Sequence, residues 1–207
     1  EEDAIYEEYL AYADALKPYI SDTEEELNEA YKNGKTIIFE CAHGMSVDPD
    51  HGMYPYTTST SCIASYAGVG SGLGLNCRTR RIGVAKSYVS RDGAGPLPSE
   101  LSENIARTLR TKGNEYSTNG RPRRIGWLDI VQLRHASNTN GLTELAMTKL
   151  DILGEFKEIS ICTGYQRQGK HYTDMPVSIT SRIEVEPVYQ TLPGWGDLTA
   201  DTIHHIL

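Results

Sequence analysis

Apolar positions recur at helical spacing over the first segment, Glu1 to Asn33, where Tyr6, Leu10, Ala13, Leu16 and Tyr19 fall on one face. Pro18, Ser21 and Asp22 mark a break. Asp22 or Thr23 then caps a second helix through Tyr31, with Glu24, Glu25 and Glu26 at its positive end and Gly34 as its stop. Thr36 to Glu40 is a short apolar, β-branched run and predicts a buried strand. From Cys41 to Gly83 the pattern is irregular and rich in Gly, Ser and Thr, a length that points to function or to short helices. Val84 to Ser90 reads as a strand, Arg91 to Pro98 as a loop, and Ser99 as the cap of a helix through Leu109. Gly113 to Arg124 is a second polar loop, and Trp127 to Ala136 is helical by period. Thr143 to Leu150 and Glu158 to Thr163 predict two strands, and Ser178 to Val188 at least one more. Helices alternating with buried strands predict an α/β fold with a mostly parallel central sheet flanked by helices.

Composition narrows the choice of partner. With 207 residues the chain can bury a real core. A net charge of −8 argues against a nucleic-acid backbone as the partner. The acid crowds the first thirty positions, whereas Arg78, Arg80, Arg81, Arg121, Arg123 and Arg124 gather in the middle, which suits a small anionic ligand. Taken singly, each of these arginines is equally well explained by a neighbouring carboxylate. No apolar run is long enough to cross a membrane. The acidic start, Glu1-Glu2-Asp3-Ala4, lacks the apolar core of a signal peptide and does not begin with Met, so a processed chain or a piece of a longer one is expected. Cys41, Cys62, Cys77 and Cys162 are widely spaced, without zinc or redox pairing, and fit a reducing cytoplasmic setting.

Three polar loops each follow a strand candidate: Cys41 to Thr60, Arg91 to Pro98, and the segment from Asp151. Ligands of open α/β sheets sit beyond such strand ends. Gly34-Lys35-Thr36 only imitates a phosphate loop, since Glu29 stands where glycine is required and the order runs from helix to strand. The glycines between Gly68 and Gly74 match no nucleotide motif and imply a turn or a close backbone approach. Ser117-Thr118-Asn119-Gly120-Arg121-Pro122-Arg123-Arg124 offers guanidinium forks beside short polar side chains, for carboxylates or phosphates, or else a solvated basic turn. Thr148-Lys149-Leu150-Asp151 ends a strand with a carboxylate that can accept both N–H groups of a guanine edge, or cap a helix. His43 and His51, with Asp48 and Asp50 between them, lack ligand spacing for a metal and read better as polar ligand contacts.

Together these segments resemble the adenylosuccinate synthetase family. Phe39 to Gly44 resembles F-E-G-A-Q-G, and Asp48 to Ser59 resembles D-x-D-H-G-T-Y-P-Y-V-T-S. Lys86 to Pro96 resembles K-A-Y-T-T-R-V-G-x-G-P, and Ser117 to Trp127 resembles T-T-G-R-P-R-R-x-G-W. Leu145 to Leu153 resembles L-A-L-T-K-L-D-V-L, and Val188 to Trp195 resembles V-Y-x-x-L-P-G-W. The resemblance implies a P-loop-like GTP-dependent ligase fold, incomplete over 1–207. It implies an activity that joins L-aspartate to IMP with GTP as co-substrate and Mg²⁺ as cofactor, in AMP biosynthesis. By the same resemblance His43, Thr58 and Arg121 bind IMP. Ser117, Thr118, Asn119, Gly120, Arg121, Pro122 and Arg123 form the mobile aspartate-binding loop. Arg123, Lys149, Leu150 and Asp151 bind GTP, with Asp151 reading guanine. A cytoplasmic homodimer is expected, with neither nucleic acid nor membrane as partner.

The departures from the family pattern bear on substrate choice. Cys41 replaces Gly, His43 replaces Gln, Asn119 replaces Thr, and Asp92 replaces an apolar Val beside the aspartate loop. A carboxylate added there weakens binding of a dianionic amino acid unless an Arg pairs with it. His43, Asn119 and Asp92 motivate one alternative, a relative acting on another purine nucleotide such as dGMP; a non-catalytic nucleotide-binding remnant is a second. The family's G-D-E-G-K-G-K start, with its catalytic Asp, a Mg²⁺ ligand and the following catalytic His, has no counterpart in the sequence, nor has its C-terminal guanine-side loop. No catalytic residue and no metal ligand is therefore expected within 1–207, and the isolated chain is expected to be inactive.

Overall fold

The computed structural model describes residues 2–74 and 79–196. They divide into two compact units, one formed by the N-terminal helices with a segment after Ser65, the other by Cys41–Ala64 and the chain from Thr79 onward.

The first unit is helical. Helix α1 (Glu2–Leu16) buries none of its residues. Asp22 caps α2 (Thr23–Lys32) by accepting the Glu25 amide at 3.0 Å, and its three glutamates lie where the helix dipole favours them. In α3 (Tyr66–Ser71) the glycine-dense stretch forms a helix that ends at Gly72 in the left-handed region, φ +69°. Its carbonyl accepts Asn28 Nδ2 of α2 at 3.3 Å, and a Cβ at Gly72 would stand 2.4 Å from Glu24 Cγ. The expected strand at Thr36–Glu40 is not formed. The segment has no ladder partner among the described residues, and Ile38 and Phe39 are exposed. An apolar β-branched run becomes a strand only where another edge satisfies its backbone.

The second unit is built on two sheets. Strands β1 (Ile82–Lys86) and β4 (Glu144–Thr148) pair in parallel. The larger sheet contains β2 (Tyr88–Arg91), β3 (Arg124–Asp129), β5 (Glu158–Arg167), β6 (Lys170–Tyr172) and β7 (Glu186–Pro193). Its order is β2-β3-β5-β6, with β7 also paired to β5. The β3–β5 ladder is parallel, while β2–β3, β5–β6 and β5–β7 are antiparallel. The α/β class holds, and the larger sheet is mixed.

Several boundaries differ from those the periodicity predicts. The single strand expected over Val84–Ser90 breaks at Ser87, whose amide donates to the Thr148 carbonyl at 2.9 Å and whose hydroxyl donates to the Lys149 carbonyl at 2.7 Å. The chain thereby passes from one sheet to the other. Ser99 caps no helix. It is buried, with its hydroxyl donating to the Trp127 carbonyl at 2.8 Å, and α4 (Glu103–Gly113) starts after Ser102. Gly126 permits that approach, since a Cβ there would lie 2.7 Å from the Ser99 carbonyl oxygen. The helix expected from Trp127 begins at Ile130 as α5 (Ile130–Asn140), because Ile125 and Trp127 are buried in β3 and Asp129 caps the turn. The strand expected over Ser178–Val188 opens instead with α6 (Ile179–Glu184), capped by Ser178, and only then enters β7.

The main core joins Tyr88, Ala106, Leu109, Ile125, Trp127, Leu153 and Ile159. It pins α4, β2 and β3 to the 3₁₀ turn Asp151–Glu155. Full burial of Leu109 alone contributes on the order of 2 kcal/mol. A second cluster of Val131, Cys162, Tyr165 and Val185 seats α5 on β5. Among the described residues no helix is long and apolar enough to cross a membrane.

Candidate functional site

The loop after His43 is organised by one buried carboxylate. Asp48 Oδ1 accepts the amides of Asp50 and His51 at 3.0 and 2.9 Å, while Oδ2 accepts the Cys62 amide at 2.7 Å and the Ser61 hydroxyl at 3.2 Å. Burial works to raise this carboxyl, but the four donors outweigh it and hold it below the usual carboxylate range. Gly52 is required where the loop doubles back, because a Cβ would meet the Asp48 carbonyl oxygen at 2.4 Å. Thr58 is half-buried and its amide donates to the Val47 carbonyl at 2.8 Å. His43 is exposed at φ +66°, a left-handed conformation that His tolerates better than most residues. Asp48 is thus a loop organiser, and His51 lends it a backbone amide.

The 91–98 loop is braced by two arginines. Arg91 is buried and donates to the carbonyls of Ala94 and Tyr56 at 2.8 and 2.9 Å, tying this loop to the one that carries Thr58. Arg124 donates to the Gly95 carbonyl at 2.7 Å and pairs with Glu100.

The 117–121 loop closes on itself through Ser117 N to the Arg121 carbonyl and Gly120 N to the Ser117 carbonyl, both 2.9 Å. Thr118 to Pro122 are exposed. Arg121 reaches back to Asp92, with Nε and Nη2 at 3.0 and 2.6 Å from the same carboxylate oxygen. The arginine that pairs with Asp92 is therefore the one expected to hold the substrates.

Between that loop and the end of β4 lies a hub that sequence reasoning missed. Glu115 is 1% exposed. Its Oε1 accepts Lys86 Nζ at 2.6 Å and the Tyr88 hydroxyl at 2.8 Å, with Lys149 Nζ at 3.5 Å; its Oε2 accepts Arg123 Nη1 at 3.3 Å. Burial alone would raise the Glu115 carboxyl, yet the hydrogen bonds from Lys86 and Tyr88 and the charges of Lys86 and Lys149 bring it down to about 2. Burial and then the Glu115 contact push the Tyr88 phenol up, so it stays a donor. Lys149 sits at φ +59° and donates to the Gly113 carbonyl. Leu150 accepts Trp195 Nε1 at 3.1 Å, and Asp151 follows with its side chain exposed. Arg123 Nε is buried without a hydrogen-bond partner among the described residues. One signal for this hub was present in the sequence: Glu115 is the lone acid in a run containing Arg107, Arg110, Lys112, Arg121, Arg123 and Arg124.

The structure thus brings Arg123 and Lys149 together around one carboxylate, and sets Arg121 apart on Asp92. His43 and Thr58 lie on the neighbouring Asp48-centred loop. Among the described residues no group of three or more His, Cys, Asp or Glu side chains stands together as a metal site.

The family model of adenylosuccinate synthetase matches residues 1–205. The chain belongs to the adenylosuccinate synthetase family. It is 45% identical over 195 residues to the adenylosuccinate synthetase of Lawsonia intracellularis, a match covering 93% of this chain and 46% of that protein. The protein of the same name from Caldanaerobacter subterraneus is 46% identical over 198 residues, covering 95% of this chain and 46% of the relative. Among solved structures, fully ligated adenylosuccinate synthetase from Plasmodium falciparum superposes with a TM-score of 0.87 at 34% identity, over 91% of this chain and 46% of that one. The chain therefore spans about half the length of the adenylosuccinate synthetases it matches.

Proposed function

We propose that this chain forms the nucleotide- and aspartate-recognising part of a full-length ligase that joins L-aspartate to IMP at the expense of GTP. The observation that carries the reading is the Glu115 hub, which ties Arg123 of the polar loop and Lys149 of the strand end into one cluster in a chain of this family. In this reading Asp151 accepts two guanine N–H groups, with Lys149 and Leu150 fixing the strand end behind it. Arg123 faces GTP. Arg121 holds the carboxylate of aspartate and reaches IMP, while Ser117 to Gly120 close over the amino acid. Thr58 and His43 contact the IMP side. GTP phosphorylates the purine 6-oxygen, and the aspartate amine displaces the phosphate. Mg²⁺, when bound, would stabilise the charge of the transferred group, with ligands supplied outside the described residues. A cytoplasmic homodimer belongs to the same proposal.

The decisive assay incubates the full-length protein with GTP, IMP and aspartate and follows adenylosuccinate. Formation that depends on all three is the expected result, with none from residues 1–207 alone. A full-length protein that binds the nucleotides and makes no product sinks the reading.

A further inference from the structure

Asp92 and Arg121 meet as a fixed carboxylate and a movable arginine. Asp92 lies on the loop that Arg91 and Arg124 brace through the carbonyls of Ala94, Tyr56, Gly93 and Gly95. Arg121 stands on an exposed loop held by its own turn, the Arg121 amide facing Ser117 Oγ at 3.1 Å and Asn119 Oδ1 at 3.3 Å. Their contact uses the Nε/Nη2 edge of the guanidinium, with both donors on Asp92 Oδ1. That edge is one of the two with which arginine grips a carboxylate bidentately. A ligand carboxylate arriving at Arg121 finds the edge occupied and meets the negative charge of Asp92 beside it. The partners' side chains are 58% and 40% exposed, so the contact is weak enough to exchange rather than a permanent brace.

We propose that Asp92 is an internal stand-in for the substrate carboxylate that holds Arg121 until the amino acid displaces it. The proposal rests on the function given above. Asp92 then raises the concentration of dicarboxylate needed to close the loop, and keeps the empty loop ordered through the same contact. Loss of its charge frees Arg121 for the ligand.

The test uses the full-length protein with Asp92→Asn, which keeps the shape, and Asp92→Val, which removes the polar group. Both variants lower KM for aspartate roughly three- to fivefold, the range of an exposed ion pair. Hydrogen–deuterium exchange without substrates reads the contact independently, and the amides of residues 117–121 exchange faster in both variants. An unchanged or raised KM for aspartate in both overturns the proposal, even where exchange quickens, because the contact then does not compete with substrate. If the wild-type protein makes no adenylosuccinate, the function above falls and the competition with substrate falls with it; unchanged exchange rates overturn the pairing as well.

Discussion

Replacing Glu115 by Gln keeps the size of the side chain and removes the charge that Lys86, Arg123 and Lys149 share. In the fold its carboxyl titrates near 2 against an ordinary 4.5. That depression corresponds to roughly 3 kcal/mol of stability at neutral pH. Because the folded value is depressed, the contribution is fully present above pH 4.5 and is lost as pH falls toward 2. At pH 3 roughly half of it remains. Lys86 pulls the other way, since burial pushes its ammonium below the usual lysine range despite the Glu115 contact. It stays charged between pH 3 and 7, so it lowers the net worth of the pair without altering the pH dependence, which follows Glu115. Urea unfolding of wild type and Glu115→Gln in the full-length protein, at pH 7 and pH 3, measures both quantities. The expected deficit of the variant is about 3 kcal/mol at pH 7, shrinking by about half at pH 3. A deficit below about 1 kcal/mol at pH 7, or one of equal size at both pH values, refutes a structural role for the carboxylate charge.

Other expectations follow from single contacts. Asp151→Asn, which replaces an acceptor-only group by an amide, lowers kcat/KM for GTP by roughly 10- to 100-fold while leaving KM for aspartate unchanged, as steady-state kinetics would show. Gly126→Ala forces a Cβ to 2.7 Å from the Ser99 carbonyl oxygen and lowers stability by about 1–3 kcal/mol in the same urea assay. Cys41 is exposed, whereas Cys162 is buried and burial with the nearby Asp129 charge pushes its thiol up to about 12. A disulfide reagent at pH 8 therefore labels Cys41 quickly and Cys162 only on unfolding, with mass spectrometry of the labelled peptides as the readout.

Legibility in the sequence tracked the range of the interactions involved. Asp22 with its following glutamates and Gly34 announced α2 because caps and dipoles act within one turn. The loop Ser117–Arg124 and the strand end Lys149–Asp151 stand out as polar segments because their residues lie close together in sequence. Ser87 was not, since turning one strand into two depends on carbonyls 61 and 62 residues away. The cap at Ser99 was misplaced because a buried hydroxyl on Trp127 and a local helix cap look alike in one dimension. Thr36–Glu40 has the composition of a strand but no described edge to pair with. The Glu115 hub gathers residues from four separate segments, and periodicity carries no trace of such a meeting.

The hub also sets the local field. Three cations surround one buried anion, so the cluster carries a surplus of two positive charges on a polypeptide whose net charge is −8. Lys86, Arg123 and Lys149 remain 29%, 36% and 34% exposed at the side chain, enough for that surplus to reach the solvent. A small polyanion feels that surplus only once it is within about 8–10 Å of the cluster at physiological salt. The encounter therefore selects by position before any hydrogen bond forms, and added salt weakens the capture.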